Sequence, residues 1–304
     1  MKILGSYKNG NYTVTILSDG TKIRHNNEDK LIPSTVESMD IKITNQCDMG
    51  CAMCHENSTP TGKHGAIMNK EFIDKLHPYT ELAIGGGNPL SHPDLIPFLE
   101  KCKSLKLIPS MTINQLHFMN NLDLVKYLVD NELIYGLGIS LVSATNDFII
   151  AAKQFKNAVI HVINGIVTRT QLETLADEDL KILILGYKRF RRGQAMYEAQ
   201  GPIIEEVKST LYDILPNIIE MEWFKAVSFD NLALEQLNVK RLMSDAEWEE
   251  FYMGDDGIGD EFDSATMYID MVEEKFAKNS CDPNRYDLLP TVDEMYQFLR
   301  ASIN

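Results

Sequence analysis

Three of the five cysteines of this 304-residue chain fall within eight residues, Cys47-Asp48-Met49-Gly50-Cys51-Ala52-Met53-Cys54. The spacing is C-x3-C-x2-C. Thiolates clustered this tightly on one loop are metal ligands before anything else, and three of them can hold three corners of a 4Fe–4S cluster. No fourth ligand follows locally, which leaves one iron open to a small molecule. Other chemistries share parts of the pattern. Cys51-Ala52-Met53-Cys54-His55 matches the C-x-x-C-H haem attachment motif, which requires export. Zinc held by the three thiols with His55 or His64 is a second alternative, and a chance cluster of structural cysteines a third.

The elements that must position this loop are legible around it. The run 39–44 is apolar and β-branched and reads as a strand, so the cysteines leave a strand end. From there strand-like runs (82–84, 108–113, 135–141, 158–163, 181–185) alternate with helical patterns (69–77, 94–106, 122–131, 146–155, 170–176). Crossovers long enough for a helix make such strands parallel. Six βα units predict an α/β fold, a partial (β/α)6 TIM-like barrel, whose ligands bind at the C-terminal strand ends. Before it, Asn9-Gly10 and Asp19-Gly20 flank an alternating run and predict an N-terminal β meander. Residues 1–38 are thus the meander and linker, 39–200 the barrel, and 201–304 a C-terminal α/β extension and candidate substrate cap. In the extension we expect a helix over 203–215 ending at Pro216, a strand at 226–229, a helix at 232–237, an acidic loop around Gly254–Asp260, and a strand at 266–272 that adds a lid over the opening.

The net charge of −15 makes nucleic acid an unlikely partner and argues against an anionic membrane surface. No apolar run has the length of a membrane span, and no signal peptide is recognisable, so the expected location is cytoplasmic. Disulfides are not expected there, which returns the cysteines to metal or redox chemistry.

A second motif lies about 30 residues on, at the end of the next strand run: Leu82-Ala83-Ile84-Gly85-Gly86-Gly87-Asn88-Pro89. Glycines there let the backbone approach a ligand closely. Together the two motifs closely resemble those of the radical S-adenosylmethionine (radical SAM) superfamily, over about residues 39–190. The resemblance implies a cofactor pair, one 4Fe–4S cluster on Cys47, Cys51 and Cys54 and S-adenosyl-L-methionine on its open iron. It implies that Gly85, Gly86, Gly87 and Asn88 bind the methionine amino group. Asn88 replaces the usual acid and brings no charge, and Met53 replaces the usual aromatic. By position, Ser140 matches a ribose contact, and Asn164 and Tyr187 match adenine contacts. Asn114 ends the third strand at the same mouth. The implied activity is reductive cleavage of the cofactor to methionine and a 5′-deoxyadenosyl radical that takes hydrogen from a substrate. The substrate class stays open among small molecule, nucleotide and peptide, and the electron donor would be of the flavodoxin or ferredoxin kind.

Ordinary acid–base residues are secondary in such chemistry, and no catalytic residue is assigned. The basic run Lys188-Arg189-Phe190-Arg191-Arg192 leaves the sixth strand near the mouth, where it can hold a carboxylate or phosphate or simply face solvent. Asp230 reads as a helix cap or a site residue, Asp270 as a substrate ligand, and His161 as a packed or surface side chain. Cys102 and Cys281 are too few for a second cluster. The rival reading is a non-catalytic iron–sulfur or zinc-binding redox or regulatory protein.

Overall fold

The structure, a computed structural model, describes residues 2–18, 20–28, 31–251 and 264–301. In chain order the elements are β1 (Ile3–Asn9), β2 (Tyr12–Leu17), β3 (Lys22–His25), β4 (Ser38–Thr44), α1 (Glu71–Asp74), β5 (Glu81–Gly86), α2 (Leu95–Ser104), β6 (Ile108–Asn114), α3 (Gln115–Asn120), α4 (Leu122–Asp130), β7 (Gly136–Ser140), α5 (Asn146–Ala152), β8 (Ala158–Ile163), α6 (Arg169–Leu175), β9 (Lys181–Leu185), α7 (Arg192–Glu220), β10 (Ala226–Phe229), α8 (Asn231–Gln236), α9 (Asp245–Phe251), β11 (Thr266–Asp270), β12 (Lys275–Ala277), β13 (Tyr286–Asp287) and α10 (Val292–Ala301).

Strands β1–β3 form the expected antiparallel meander. The other ten strands form one sheet, ordered β10-β9-β8-β7-β6-β5-β4-β11-β12-β13. Strands β4 to β10 pair in parallel with their sequence neighbours, and β11 also runs parallel to β4. Period-two alternation decides which side of this sheet is dry. Met39, Ile41, Leu82, Ile84, Met111, Ile113, Ile160 and Val162 are buried, in one core with helix residues such as Phe98, Phe148 and Leu172. The alternate positions carry small or polar groups. Asp40 and Ala83 are exposed, and Ser110, Thr112, Ser140 and His161 are half-buried, although all lie on interior strands of the sheet.

The sheet curls around this polar face. Strands β9 and β12 stand seven places apart, about 34 Å in a flat sheet. Yet Lys188, just past β9, donates from Nζ to Ser280 Oγ, just past β12, at 3.1 Å. The β9–α7 loop likewise reaches the loop after β4, with Arg191 Nη1 donating to the Glu56 carbonyl and Arg192 Nη2 to the Ser58 carbonyl, both at 2.9 Å.

The meander docks at the opposite, N-terminal end of the strands. Its small core of Tyr12, Val14 and Ile16 meets Tyr79 and Ile108. Glu37, fully buried, accepts from Arg24 Nε at 2.9 and 3.1 Å and from the Tyr12 hydroxyl at 2.5 Å, and pairs with Lys22 at 3.2 Å.

Three sequence expectations change. A short helix, α3, follows β6 because the Asn114 side chain caps it, accepting from Leu116 N at 2.9 Å. Helix α7 does not stop at Pro216; it spans Arg192–Glu220, broken only at Gln200 (φ −135°, ψ 20°). That break puts Pro202 in the first turn of the second segment, where no amide is needed. The strand at 266–272 is shorter, β11, and is no lid: it lies within the sheet between β4 and β12. The loop expected around Gly254–Asp260, and Asp19 of the second hairpin signal, lie outside the described residues.

Candidate active site

The cysteine loop is anchored by its backbone at the C-terminal end of β4. Cys47 N donates to Thr59 O at 2.8 Å and Cys54 N to Cys51 O at 3.2 Å. Gly50 turns the loop at φ +62°, a left-handed conformation that suits glycine. The second motif is stitched to the first. Gly87 N donates to Thr44 O at 2.8 Å and Asn88 N to Gln46 O at 2.7 Å. The two segments, some 40 residues apart in sequence, are thus joined by backbone hydrogen bonds.

The three glycines do different work. Gly86 has φ +111°, and a Cβ there would lie 2.4 Å from Thr44 O. A Cβ on Gly87 would lie 2.2 Å from Gln46 O, a backbone atom next to Cys47. Around Gly85, by contrast, no atom lies within 4 Å of a Cβ, so space opens beside the cysteine loop. Gly87→Ala is expected to cost on the order of 1–3 kcal/mol in urea unfolding and to weaken iron retention, because backbone must shift. Gly85→Ala is expected to unfold within about 0.5 kcal/mol of the native chain. Equal effects of the two changes would sink this distinction.

All three thiols are half-buried. Burial first, then the charge of the neighbouring thiols, pushes the Cys47 and Cys51 thiols up from their ordinary range. Three thiols that repel one another's charge fit a site where bound metal supplies the compensating cations and drives deprotonation. Arg192 adds a positive charge near both Cys47 and Cys51. Among the described residues, the one group of three ligand types packed within 4.8 Å is Cys47, Asp48 and His117. Asp48 Oδ1 is 2.6 Å from His117 Nε2.

Next to Met53, a cleft opens between the ends of β7, β8 and β9, lined by Met53, Ser140, Val142, His161, Ile163 and Leu185. Ser140 thus reaches this cleft, as its position suggested. Asn164 is fully buried instead, its amide donating to Gln236 Oε1 at 3.2 Å and its Oδ1 unpartnered. The Tyr187 hydroxyl is committed to Gly193 O at 2.9 Å, and its backbone N and O are both bonded to the Gln236 side chain, at 2.9 and 3.0 Å. Asn88 Oδ1 accepts from Leu90 N at 3.2 Å and caps the turn at Pro89–Ser91. Asp230 is a helix cap, accepting from Ala233 N at 2.7 Å and Gly186 N at 2.8 Å.

His161 faces the cleft, its ring so close over Gly138 that a Cβ there would lie 2.4 Å from it. Burial holds its imidazole neutral down to about 4. A depressed histidine stays unprotonated in the fold while the unfolded chain takes up a proton, so stability drains as pH falls from about 6.5 to 4. The loss should reach on the order of 3 kcal/mol, and His161→Gln should remove that part of the acid slope. Identical slopes for the two chains in urea titrations between these pH values would refute the placement.

The sequence reading missed a buried ionic group on the polar face. Lys42 Nζ lies 3.1 Å from both Glu56 Oε2 and Asp270 Oδ2. Burial opposes the Glu56 charge, but His55 and Lys42 hold its carboxyl down to about 2. Asp270, read from sequence as a substrate ligand, is thus a partner of Lys42. No sequence signal pairs residues 228 apart; only the parallel β11–β4 register does.

No protein-family model and no curated protein sequence matches the chain. Solved structures do. Streptococcus suis SuiB bound to precursor peptide SuiA aligns with TM-score 0.59 at 16% identity, covering 90% of this chain and 67% of that one. SuiB bound to S-adenosylmethionine aligns with TM-score 0.53 at 14% identity, covering 84% and 64%. The chain therefore spans about two thirds of SuiB's length. No helix among the described residues is long and apolar enough to cross a membrane. At this identity the likeness is one of fold, and the chain shares the α/β fold of SuiB.

Proposed function

We propose that the chain is a radical SAM enzyme with one 4Fe–4S cluster. The observation that carries this reading is the joint between the two motifs: the cysteine loop and Gly85–Asn88 are hydrogen-bonded to each other beside open space and next to the Ser140 cleft. Cys47, Cys51 and Cys54 would hold the cluster. Gly85, Gly86, Gly87 and Asn88 would present backbone to the amino-acid end of S-adenosyl-L-methionine, and Ser140 would meet the ribose. Asn164 and Tyr187 would border the adenine. What the pair supplies when bound is one-electron cleavage of the C5′–S bond and hydrogen abstraction from a substrate. The protein's own share is to hold donors in place and exclude water. Ile163, Leu185 and Val142 make the cleft walls apolar, and His161 adds no charge to them at neutral pH.

The curled sheet with a polar, solvent-reached inner face supports a partial barrel over 39–200, closed below by the meander of residues 1–38. Residues 201–304 would complete and cap it, since Ser280 spans the mouth to Lys188. SuiB's peptide-bound form makes a peptide the favoured substrate class, with small molecules next, and the electron donor would be a flavodoxin or ferredoxin. A cytoplasmic setting suits free thiols and an oxygen-sensitive cluster. The zinc alternative is disfavoured because structural zinc sites use two separated ligand pairs, whereas these cysteines form one knot. Anaerobic purification tests the proposal. Iron with sulfide, and release of 5′-deoxyadenosine on reduction with S-adenosylmethionine, are expected; zinc alone, or a cluster that never turns the cofactor over, would overturn it.

A further inference from the structure

The polar inner face holds a carboxyl group, that of Asp40, with no hydrogen bond or ion pair among the described residues. Asp40 sits in the middle of β4, in register with Tyr268 of β11 on one side and Ala83 of β5 on the other. It is exposed although it lies on an interior strand, and Ala83 beside it is exposed as well. The two residues therefore line a space that solvent enters from within the curl.

The other charged groups around this space are engaged, Arg285 among them, which donates from Nη2 to Ser280 O at 2.6 Å and stacks over the Tyr268 ring. Lys42 is shared between Glu56 and Asp270. Glu56 also meets His55 at 3.4 Å, Arg191 at 3.8 Å and the Tyr268 hydroxyl at 3.4 Å. Lys188 is held on Ser280, and Asp230 caps α8. The Asp40 carboxylate has no hydrogen bond or ion pair among the described residues. Surrounding protein penalises its charge, Lys188 partly relieves it, and Glu56 and Asp230 oppose it, so its carboxyl is pushed up from the ordinary range.

A carboxylate held near other carboxylates with no cation of its own lowers stability, and such groups persist where a ligand completes them. We propose that the chamber is the substrate site and that Asp40 receives a protonated nitrogen of the substrate, an ammonium or guanidinium group. This rests on the reading of the motif end as the reacting end. Four residues of extended strand separate Asp40 from Thr44, roughly 13 Å. The substrate is therefore elongated, anchored by its cation below and presenting another part of itself at the mouth. Tyr268 and Ala83 flank the anchor, one a wall and the other a gap.

The test uses the cluster-loaded, unreduced protein and simple probes, n-butylammonium and butyrate, observed by ligand NMR. The proposal expects n-butylammonium to bind in the millimolar range and butyrate not to bind. It expects Asp40→Asn to weaken the amine at least tenfold, and Asp40→Glu, which keeps the charge, to retain it within about threefold. Asp94→Asn, on a loop beyond Gly85–Asn88, serves as a control with no change. Asp40→Asn should also melt at the same temperature or about 1–3 °C higher, because an unpaired charge is removed; a structural carboxylate would give a clear drop. Equal binding of the two probes, no binding of the amine, an unchanged Asp40→Asn affinity or a marked fall in melting temperature would each overturn the proposal. Iron content and S-adenosylmethionine binding, measured on the same samples, report separately on the cofactor reading.

Discussion

Replacing any one of Cys47, Cys51 and Cys54 by alanine is expected to strip the protein of its iron and to lower 5′-deoxyadenosine release at least a hundredfold. Loss of an outer partner of a metal site commonly costs 10–100-fold, and loss of a ligand should cost more. The other two cysteines supply the controls. Cys102 is buried in the core and burial raises its thiol to about 12, so it is inert. Cys281 lies in the β12–β13 loop, beside Ser280. Alanine at either should leave iron content unchanged. The fold should survive the loop substitutions, because the loop is held by backbone bonds such as Cys47 N to Thr59 O. A variant of the triplet that kept native iron and native turnover would remove that cysteine from the ligand set.

The second large effect lies at the other end of the sheet. Arg24→Met is expected to lower the unfolding free energy by about 3 kcal/mol at pH 7. Glu37 has no exposed surface, and Arg24 satisfies it through two nitrogens, Nε at 2.9 Å and Nη2 at 2.7 Å. Removing Arg24 leaves a buried carboxylate with Lys22 and Tyr12 alone, at the low end of the cost of breaking a buried ion pair. The pH dependence carries the mechanism. Burial opposes the Glu37 charge, yet Arg24, Lys22 and Tyr12 together hold its carboxyl below the ordinary value. A carboxyl lowered in this way stabilises the fold above the ordinary carboxylate range, and the contribution is lost as pH falls through its folded value. The difference between the two chains should therefore narrow below about pH 4.5, where the variant's Glu37 is protonated first. A cost under about 1 kcal/mol, or one independent of pH, would show that the meander is held mainly by its apolar contacts through Tyr79 and Ile108.

What the amino-acid sequence determined by itself were the local features. The cysteine spacing, the glycine run, the strand at 39–44 and the βα alternation through β9 each depend on neighbours in the chain, through period-two patterning or turn chemistry. The structure adds helix α3 and lengthens α7, differences that come from one side-chain cap at Asn114 and from a break at Gln200 that places Pro202 in a first turn, while Pro216 lies within the second segment.

Tertiary structure alone decided the rest. That β11 lies beside β4, rather than over the mouth, follows from pairing between segments more than 200 residues apart, which no local pattern encodes. This register takes Asp270 from a candidate ligand to the partner of Lys42, and sets Tyr268 beside Asp40. The basic run after β9 splits by the same logic: Lys188, Arg191 and Arg192 bridge the mouth, while Arg189 stacks on Tyr197 and pairs with Glu205. Whether a charge is spent or free depends on which groups the curl of the sheet brings within reach, and that is set by long-range packing. The three cysteines could be read as ligands in a line of text; only the curl shows that an unpaired carboxylate waits beneath them.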